Sequence, residues 1–193
     1  ASTEELQAGS DPAIFDIPIV ILALLTAPYT QGLDLVKAVL AEGGGVKAIP
    51  GAFKLPPTTS EEAMTPGKYL VHEGSVKVPT PKPDSGAKAV TSGVFGQIGF
   101  TALLSKGVSL DDPAKGTEGW AGDSFVTWND GSKRPCAKID TKLDSAQDAK
   151  ELKAVLDRWA AGAPVEATVT ASGAQVNLTS CATEAASGGS PGV

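Results

Sequence analysis

Few residues of this chain have the type and the spacing that catalysis or metal binding requires. Its single histidine, His72, has no second histidine at HExxH spacing, and no set of three or four ligands for zinc surrounds it in the sequence. A serine triad would depend on the same histidine, and neither a GxSxG elbow nor a GxxxxGKS phosphate loop occurs. We therefore find no catalytic constellation, and we expect neither a metal nor a cofactor.

Carboxylate pairs are the remaining source of chemistry, because glycosidases work with two such groups. Three pairs are present: Glu61 with Glu62, Asp111 with Asp112, and Asp123 with Asp130. Pairs of this kind are usually solvated faces or helix caps. Thr59, followed three residues later by Glu62, predicts a capping box that opens a short helix from about Ser60 to Met64. We interpret Glu61 and Glu62 as structural, and keep a small hydrolase with an unrecognised carboxylate pair, testable at Asp123, as a minor hypothesis.

The tryptophans offer a second kind of function, which is binding. Trp120 and Trp128, together with Asp123, would form a recognition face for a peptide, a glycan or a protein, because aromatic rings supply large amphipathic contact surfaces. The alternative is a core shared between a sheet and a helix. We favour the core, since Trp159 already completes an apolar helical stripe.

Charge and cysteine content limit the class of protein. The net charge of −6, with no cluster of basic residues, argues against nucleic acid and against anionic lipid as partners. Two cysteines, Cys136 and Cys181, fall on predicted strands and suit one disulfide in an exported protein; two unrelated buried thiols are the alternative. We expect an extracytoplasmic location, secreted or anchored at the cell surface.

The elements that must position these residues predict an α+β fold, with an N-terminal helical segment followed by a small antiparallel sheet packed against a long helix. The long helix starts at Ser145, and its stripe is Ala149, Leu152, Val155, Leu156 and Trp159. Strands are predicted around residues 87–95, 123–130 and 135–143 and in a hairpin over 165–182. We divide the chain into a helical segment 1–75, a proline-rich linker 76–87, an α+β subdomain 88–182 and a disordered tail 183–193.

The helical segment contains the most apolar run of the chain, Ile17–Leu25. It is about half the ~20 residues that a membrane span needs, and no basic stretch precedes it, so it is neither a transmembrane helix nor a signal peptide as it stands. Pro28 is predicted to separate it from a second helix, Tyr29 to Glu42. Because the run is apolar nearly all round, we expect burial on several sides, against the sheet domain or against a partner.

Two stretches, "APYTQGLDLVKAVLAEGG" and "LPPTTSEEAMTPGKYL", resemble a family of uncharacterised bacterial proteins that are secreted or membrane-anchored. The positions that carry the resemblance are Pro28, Tyr29, Gly32, Gly43, Gly44, Pro56, Pro57, Thr58, Glu62, Pro66, Lys68 and Tyr69. A second match is "GWAGDSFVTW", Gly119 to Trp128, followed by a helix start similar to the family's at Asp148–Ala149. Together the matches span roughly residues 12 to 182.

In that family a zinc-peptidase-like half with an HExxH helix precedes this region, so the resemblance implies the C-terminal, non-catalytic part of a metallopeptidase-like protein, of an actinobacterial type by composition. Thr65 stands where the family usually has histidine, and the metal-binding half lies outside this sequence, so no zinc ligand is carried over. The resemblance implies docking or stabilisation of the catalytic half, with the helix Ile17–Leu25 as the contact. The alternative hypothesis is a free-standing cell-surface binding module that uses the tryptophan face.

Overall fold

The computed structural model describes Ile17 and residues 19–42, 44–105 and 115–183. The pair Asp111 and Asp112 and the predicted tail beyond Thr183 lie outside these residues. Helices are α1 Ile19–Glu42, α2 Ile49–Lys54, α3 Ser60–Met64, α4 Pro66–Leu70, α5 Gly96–Leu104 and α6 Ala146–Gly162, with 3-10 turns at Gly45–Ala48 and Asp84–Gly86. Strands are β1 Ala89–Gly93, β2 Trp120–Asn129, β3 Pro135–Leu143, β4 Val165–Ser172 and β5 Gln175–Ala182.

The described strands form one antiparallel sheet in the order β1-β2-β3-β5-β4. Helix α6 packs on one face of this sheet and forms the main hydrophobic core with β3, β4 and β5. The helices α1 to α4 come first in the chain, and α1 contacts the sheet domain through α5. The predicted α+β class, with an antiparallel sheet against a long helix, is therefore confirmed.

Helix α6 follows its sequence pattern closely. Ser145 caps it with a full capping box, in which its hydroxyl accepts from the backbone N–H of Asp148 and the Asp148 carboxylate accepts from the backbone N–H of Ser145. The predicted stripe is buried at every position: Ala149, Leu152, Val155, Leu156 and Trp159. This helix could be predicted from the sequence because its capping residues and its 3.6-residue apolar period are both local signals.

Helix α1 differs from its prediction. Pro28 lies inside one continuous helix of 24 residues and does not divide it. Proline removes the N–H that would have bonded to the carbonyl of Leu24, and its ring crowds that carbonyl, but the helix continues on both sides of it. The sheet domain does not cover the described part of the apolar run, because Ile21, Leu24 and Leu25 are 47%, 46% and 60% exposed. Of the two predicted kinds of burial, the one against a partner stays a prediction.

The predicted linker, residues 76–87, lies against the sheet. The backbone N–H of Val76 donates to the carbonyl of Ala121 at 2.7 Å, the hydroxyl of Ser124 donates to that of Thr80 at 3.0 Å, and Asp84 pairs with Lys138. Ser124 and Lys138 lie on the face of the sheet opposite α6, because side chains alternate along β2 and β3 and their neighbours Phe125 and Ile139 face α6. We call residues 76–87 the strap.

Gly122 is the residue of β2 on which the strap lies, and it allows a close approach of two backbones. A Cβ atom at Gly122 would come within 2.1 Å of the carbonyl oxygen of Val76. Any other residue type at position 122 would therefore force the strap to move.

We predict that Gly122→Ala displaces the strap and lowers the free energy of unfolding by about 1–3 kcal/mol, the usual cost of overpacking. Limited trypsinolysis after Lys77 should become faster, and urea denaturation measures the stability. Gly131→Ala is the matched control, because its Cβ would have no atom within 4 Å. Unchanged cleavage and stability in Gly122→Ala would contradict the packed position of the strap.

Candidate functional site

The three residues of the predicted recognition face lie in the interior. Trp120 is 3% exposed, Trp128 3% and Asp123 4%. Trp120 belongs to the core under α6, whereas Trp128 lies in a second cluster with Val126 and Cys136 on the other side of the sheet. The structure therefore separates the two rings, and their burial favours the core interpretation over a binding shelf.

Asp123 joins helix α5 to the sheet. Its carboxylate accepts hydrogen bonds from the backbone N–H groups of Phe95 and Gly96 and from the indole of Trp120, each at 2.7 Å. Burial raises the pKa of Asp123 above its ordinary value, although these three donors oppose the shift. The carboxylate thus caps the start of α5 and positions it, with both oxygens engaged.

Cys136 and Cys181 face each other directly across β3 and β5 and form a disulfide, with Cα atoms 4.0 Å apart. The pairing predicted from the sequence is confirmed.

A group of three potential metal ligands is found in the described residues: Cys136, Cys181 and Asp130, whose ligand atoms lie within 4.8 Å of one another. Because the sulfurs are bonded to each other, they offer no thiolate to a metal. Asp130 also accepts bonds from Ser132 and Arg134, which occupy both of its oxygens.

Glu62, predicted to complete a capping box, is buried at 3% exposure. The Thr59 hydroxyl does accept from the backbone N–H of Glu62 at 3.0 Å, so the N-cap is confirmed and α3 spans the predicted residues. The Glu62 carboxylate, however, accepts from the N–H and hydroxyl of Thr58 and from the N–H of Gly74, and so leaves the capping box incomplete. Burial alone would raise its pKa, but these bonds outweigh burial and lower it.

Glu61 is also buried, at 1% exposure, and belongs to a cluster centred on Lys68. The Lys68 ammonium lies 2.5 Å from Asp144, 2.7 Å from Glu73 and 3.7 Å from Glu61. Burial alone would lower the pKa of Lys68, but the bonds to Asp144 and Glu73 outweigh it and raise the pKa. Burial raises the pKa of Glu61 to about 7 against the opposing charge of Lys68. We call these four residues the charged clasp, because Asp144 follows β3 and the other three belong to the helical segment.

An apolar groove lies on the helical segment and encloses about 220 Å³. Its lining contains only apolar side chains and one tyrosine: Leu35, Val36, Val39, Ile49, Ala52, Phe53, Pro56, Pro57 and Tyr69. The hydroxyl of Tyr69 donates to the carbonyl of Leu55 at 2.8 Å, which fixes the ring at the floor of the groove and uses its polar group. Phe53 stands at the groove with 83% of its surface exposed.

The apolar surface continues beyond the groove along α1. Nine of the thirteen large apolar side chains that are exposed in the described part of the chain lie between residues 21 and 55: Ile21, Leu24, Leu25, Tyr29, Leu33, Val36, Val46, Phe53 and Leu55. A concentration of this kind on one segment is typical of an interaction site. The contact predicted from the sequence was Ile17–Leu25 alone, without the groove. Phe53 and the pair Pro56–Pro57 are the residues in the sequence that could have indicated it.

None of the described helices combines the length and the hydropathy that a membrane crossing requires.

Glu61 gives a testable pH dependence. In the unfolded chain its pKa returns to about 4.5, whereas in the native state it is about 7, so the native state holds the proton more tightly. The stabilisation from this proton is complete below about pH 4.5 and is lost as the pH rises through about 7. We expect Glu61→Gln to remove this slope, which amounts to on the order of 2–3 kcal/mol, as measured by urea denaturation across the pH range.

Glu62→Gln is the matched control for that experiment, because the pKa of Glu62 is lowered and its carboxylate stays ionised in the same pH window. The slope of the wild-type protein should persist in this variant. An equal slope in Glu61→Gln and in the wild type would contradict a protonated Glu61 in the clasp.

The sequence of the chain matches a known protein family. No curated protein and no solved structure matches the chain. A family model, described as "Domain of unknown function (DUF8575)", matches residues 85–186, which include all five strands, α5 and α6 and leave out the groove. Since this match covers more than half of the sequence, the chain belongs to the DUF8575 family.

Proposed function

We propose that the chain is a non-catalytic docking module, whose helical segment binds a protein partner through the apolar groove and the exposed side of α1. The observation that carries this proposal is the concentration of exposed apolar side chains between residues 21 and 55, around a groove of about 220 Å³. Transferring Phe53 alone from water into a partner would contribute about 2 kcal/mol.

The chemistry of the groove favours a helix as the bound element. The lining offers no free polar group, because the one hydroxyl, that of Tyr69, is already bonded to Leu55. An extended peptide would bring unpaired backbone groups that the groove cannot satisfy, at a cost of several kcal/mol. A helix satisfies its own backbone and presents apolar side chains at the spacing that grooves of this kind accept.

Two lysines beside the groove indicate which charge the partner should carry. Lys54 directly follows Phe53, and Lys47 lies two residues before Ile49, so both stand next to lining residues of the groove. Both are exposed, and neither has an ion-pair partner among the described residues. The proposed partner is therefore an amphipathic helix with acidic residues beside its apolar face.

The resemblance in the sequence supports a catalytic, metallopeptidase-like half of a larger protein as the source of this helix. On this proposal the module described here supplies docking or stabilisation and no catalytic group. The family match does not bear on the peptidase relationship, which rests on the motifs between Pro28 and Tyr69 and at Gly119–Trp128.

The proposed location is extracytoplasmic. The Cys136–Cys181 disulfide supports it, because disulfides persist in oxidising compartments and are rare in reducing ones.

Photo-crosslinking tests the docking surface. A photoreactive phenylalanine analogue at position 53, in the protein expressed in its own host, should crosslink to a helix-forming segment with acidic residues, identified by mass spectrometry. The same analogue at position 90 is the control, since Val90 is 67% exposed but lies on β1, away from the groove. Equal crosslinking at both positions, or none at position 53, would rule out the groove as a specific site.

The disulfide gives a second test. The double variant Cys136→Ser and Cys181→Ser opens a loop of 45 residues, and we expect it to lower the free energy of unfolding by about 4 kcal/mol. When the protein isolated from its own host is unfolded without reductant, a thiol reagent should label neither cysteine. Full labelling of freshly isolated protein would contradict the proposed location.

A further inference from the structure

Strand β4 forms one edge of the sheet and carries a regular row of backbone groups. It pairs with β5 over its whole length, from Val165 opposite Ala182 to Ser172 opposite Gln175, without a bulge. In the sheet order β4 is the last strand, so its outer side faces no other described strand.

The direction of the backbone groups follows from the hydrogen bond just before the strand. The backbone N–H of Thr183 donates to the carbonyl of Pro164 at 3.3 Å, so even-numbered residues of β4 point their backbone groups towards β5. Ala167, Val169 and Ala171 consequently direct their N–H and C=O groups outward. Within the described part of the chain, these groups have no strand to pair with.

Strand β4 lacks the devices that usually protect an edge. Its sequence, VEATVTAS, contains no lysine, arginine or proline, and its single charge is Glu166. The opposite edge is different: β1 has only five residues, and its register shifts between Ala89 and Thr91. Natural sheets blunt their edges with short strands, bulges, charges and proline, so the two edges of this sheet are not equivalent.

The side chains of β4 are complementary to a second copy of themselves. Val165, Ala167 and Val169 lie partly buried beside the core under α6, so that core continues to the open edge. In an antiparallel pair that aligns the outward groups with Thr168 opposite Thr168, Ala167 faces Val169 and Glu166 faces Thr170. Apolar residues then meet apolar residues, threonines meet across the strands, and no like charges are opposed.

We propose that β4 pairs antiparallel with β4 of a second copy of this chain, which joins the two five-stranded sheets into one continuous sheet. A two-fold axis through Thr168 makes the contact isologous, as in closed symmetric dimers. This contact uses the far edge of the sheet and leaves the apolar groove free, so it stands independently of the docking function.

The test is the mass of the purified full chain in solution, by sedimentation equilibrium over a wide range of concentration. We expect a reversible dimer of twice the 19.5 kDa chain mass. Thr168→Lys places two ammonium groups opposite each other and should raise the dissociation constant by about tenfold or more. Thr91→Lys is the matched control, since it introduces the same charge at an exposed position of the other edge strand and should leave the dimer intact.

A second variant covers the case in which Thr168→Lys fails to fold. Ala171→Pro removes one outward N–H, which an edge strand tolerates, and should also weaken the dimer. Amide hydrogen exchange at Ala167 and Val169 should slow as the dimer forms. A monomer at every concentration, or a dimer that Thr168→Lys and Ala171→Pro leave unchanged, would overturn the proposal.

Discussion

The ammonium group of Lys68 connects the two halves of this protein. It lies within 3.7 Å of three carboxylates, of which Glu61 and Glu73 belong to the helical segment and Asp144 follows β3. One cation cannot neutralise three ionised carboxylates, so the cluster would carry a net charge of −2 if all of them lost their protons. Burial is the largest cause of the raised pKa of Glu61, and the neighbouring carboxylates of Asp144 and Glu73 raise it further. Protonation of this most buried member relieves the repulsion. The attachment of the helical segment to the sheet therefore includes a group that titrates near neutral pH.

Further polar contacts complete the attachment to the sheet. The strap follows β2 through the bond from Val76 to Ala121, above a glycine that leaves room for it. Asp123 fixes the start of α5 to the same strand, and α1 packs on α5. Polar contacts thus join the helical segment to the sheet, and many of its apolar side chains stay exposed.

The groove and the β4 edge therefore offer two chemically different surfaces. The groove has apolar side chains and no free polar group, and it suits a partner whose backbone is already satisfied. The β4 edge has free backbone groups and self-complementary side chains, and it suits another strand. The DUF8575 match covers the sheet and α6 but not the groove, so the β4 edge belongs to the family domain and the groove to the preceding segment.

The sequence by itself determined the elements whose signals are local. The stripe and capping box of α6, the strand bounds of β3 and the hairpin of β4 and β5 agree with their predictions, because each depends on a period, a cap or a turn within one or two elements. The pairing of Cys136 with Cys181 also agrees, because the chain has only these two cysteines. Only the tertiary structure decided the burial of Glu61 and Glu62, the separation of Trp120 from Trp128, the exposure of α1 and the position of the strap. These features depend on contacts between residues far apart in the chain, such as Lys68 with Asp144, and no local pattern encodes which partner each residue meets.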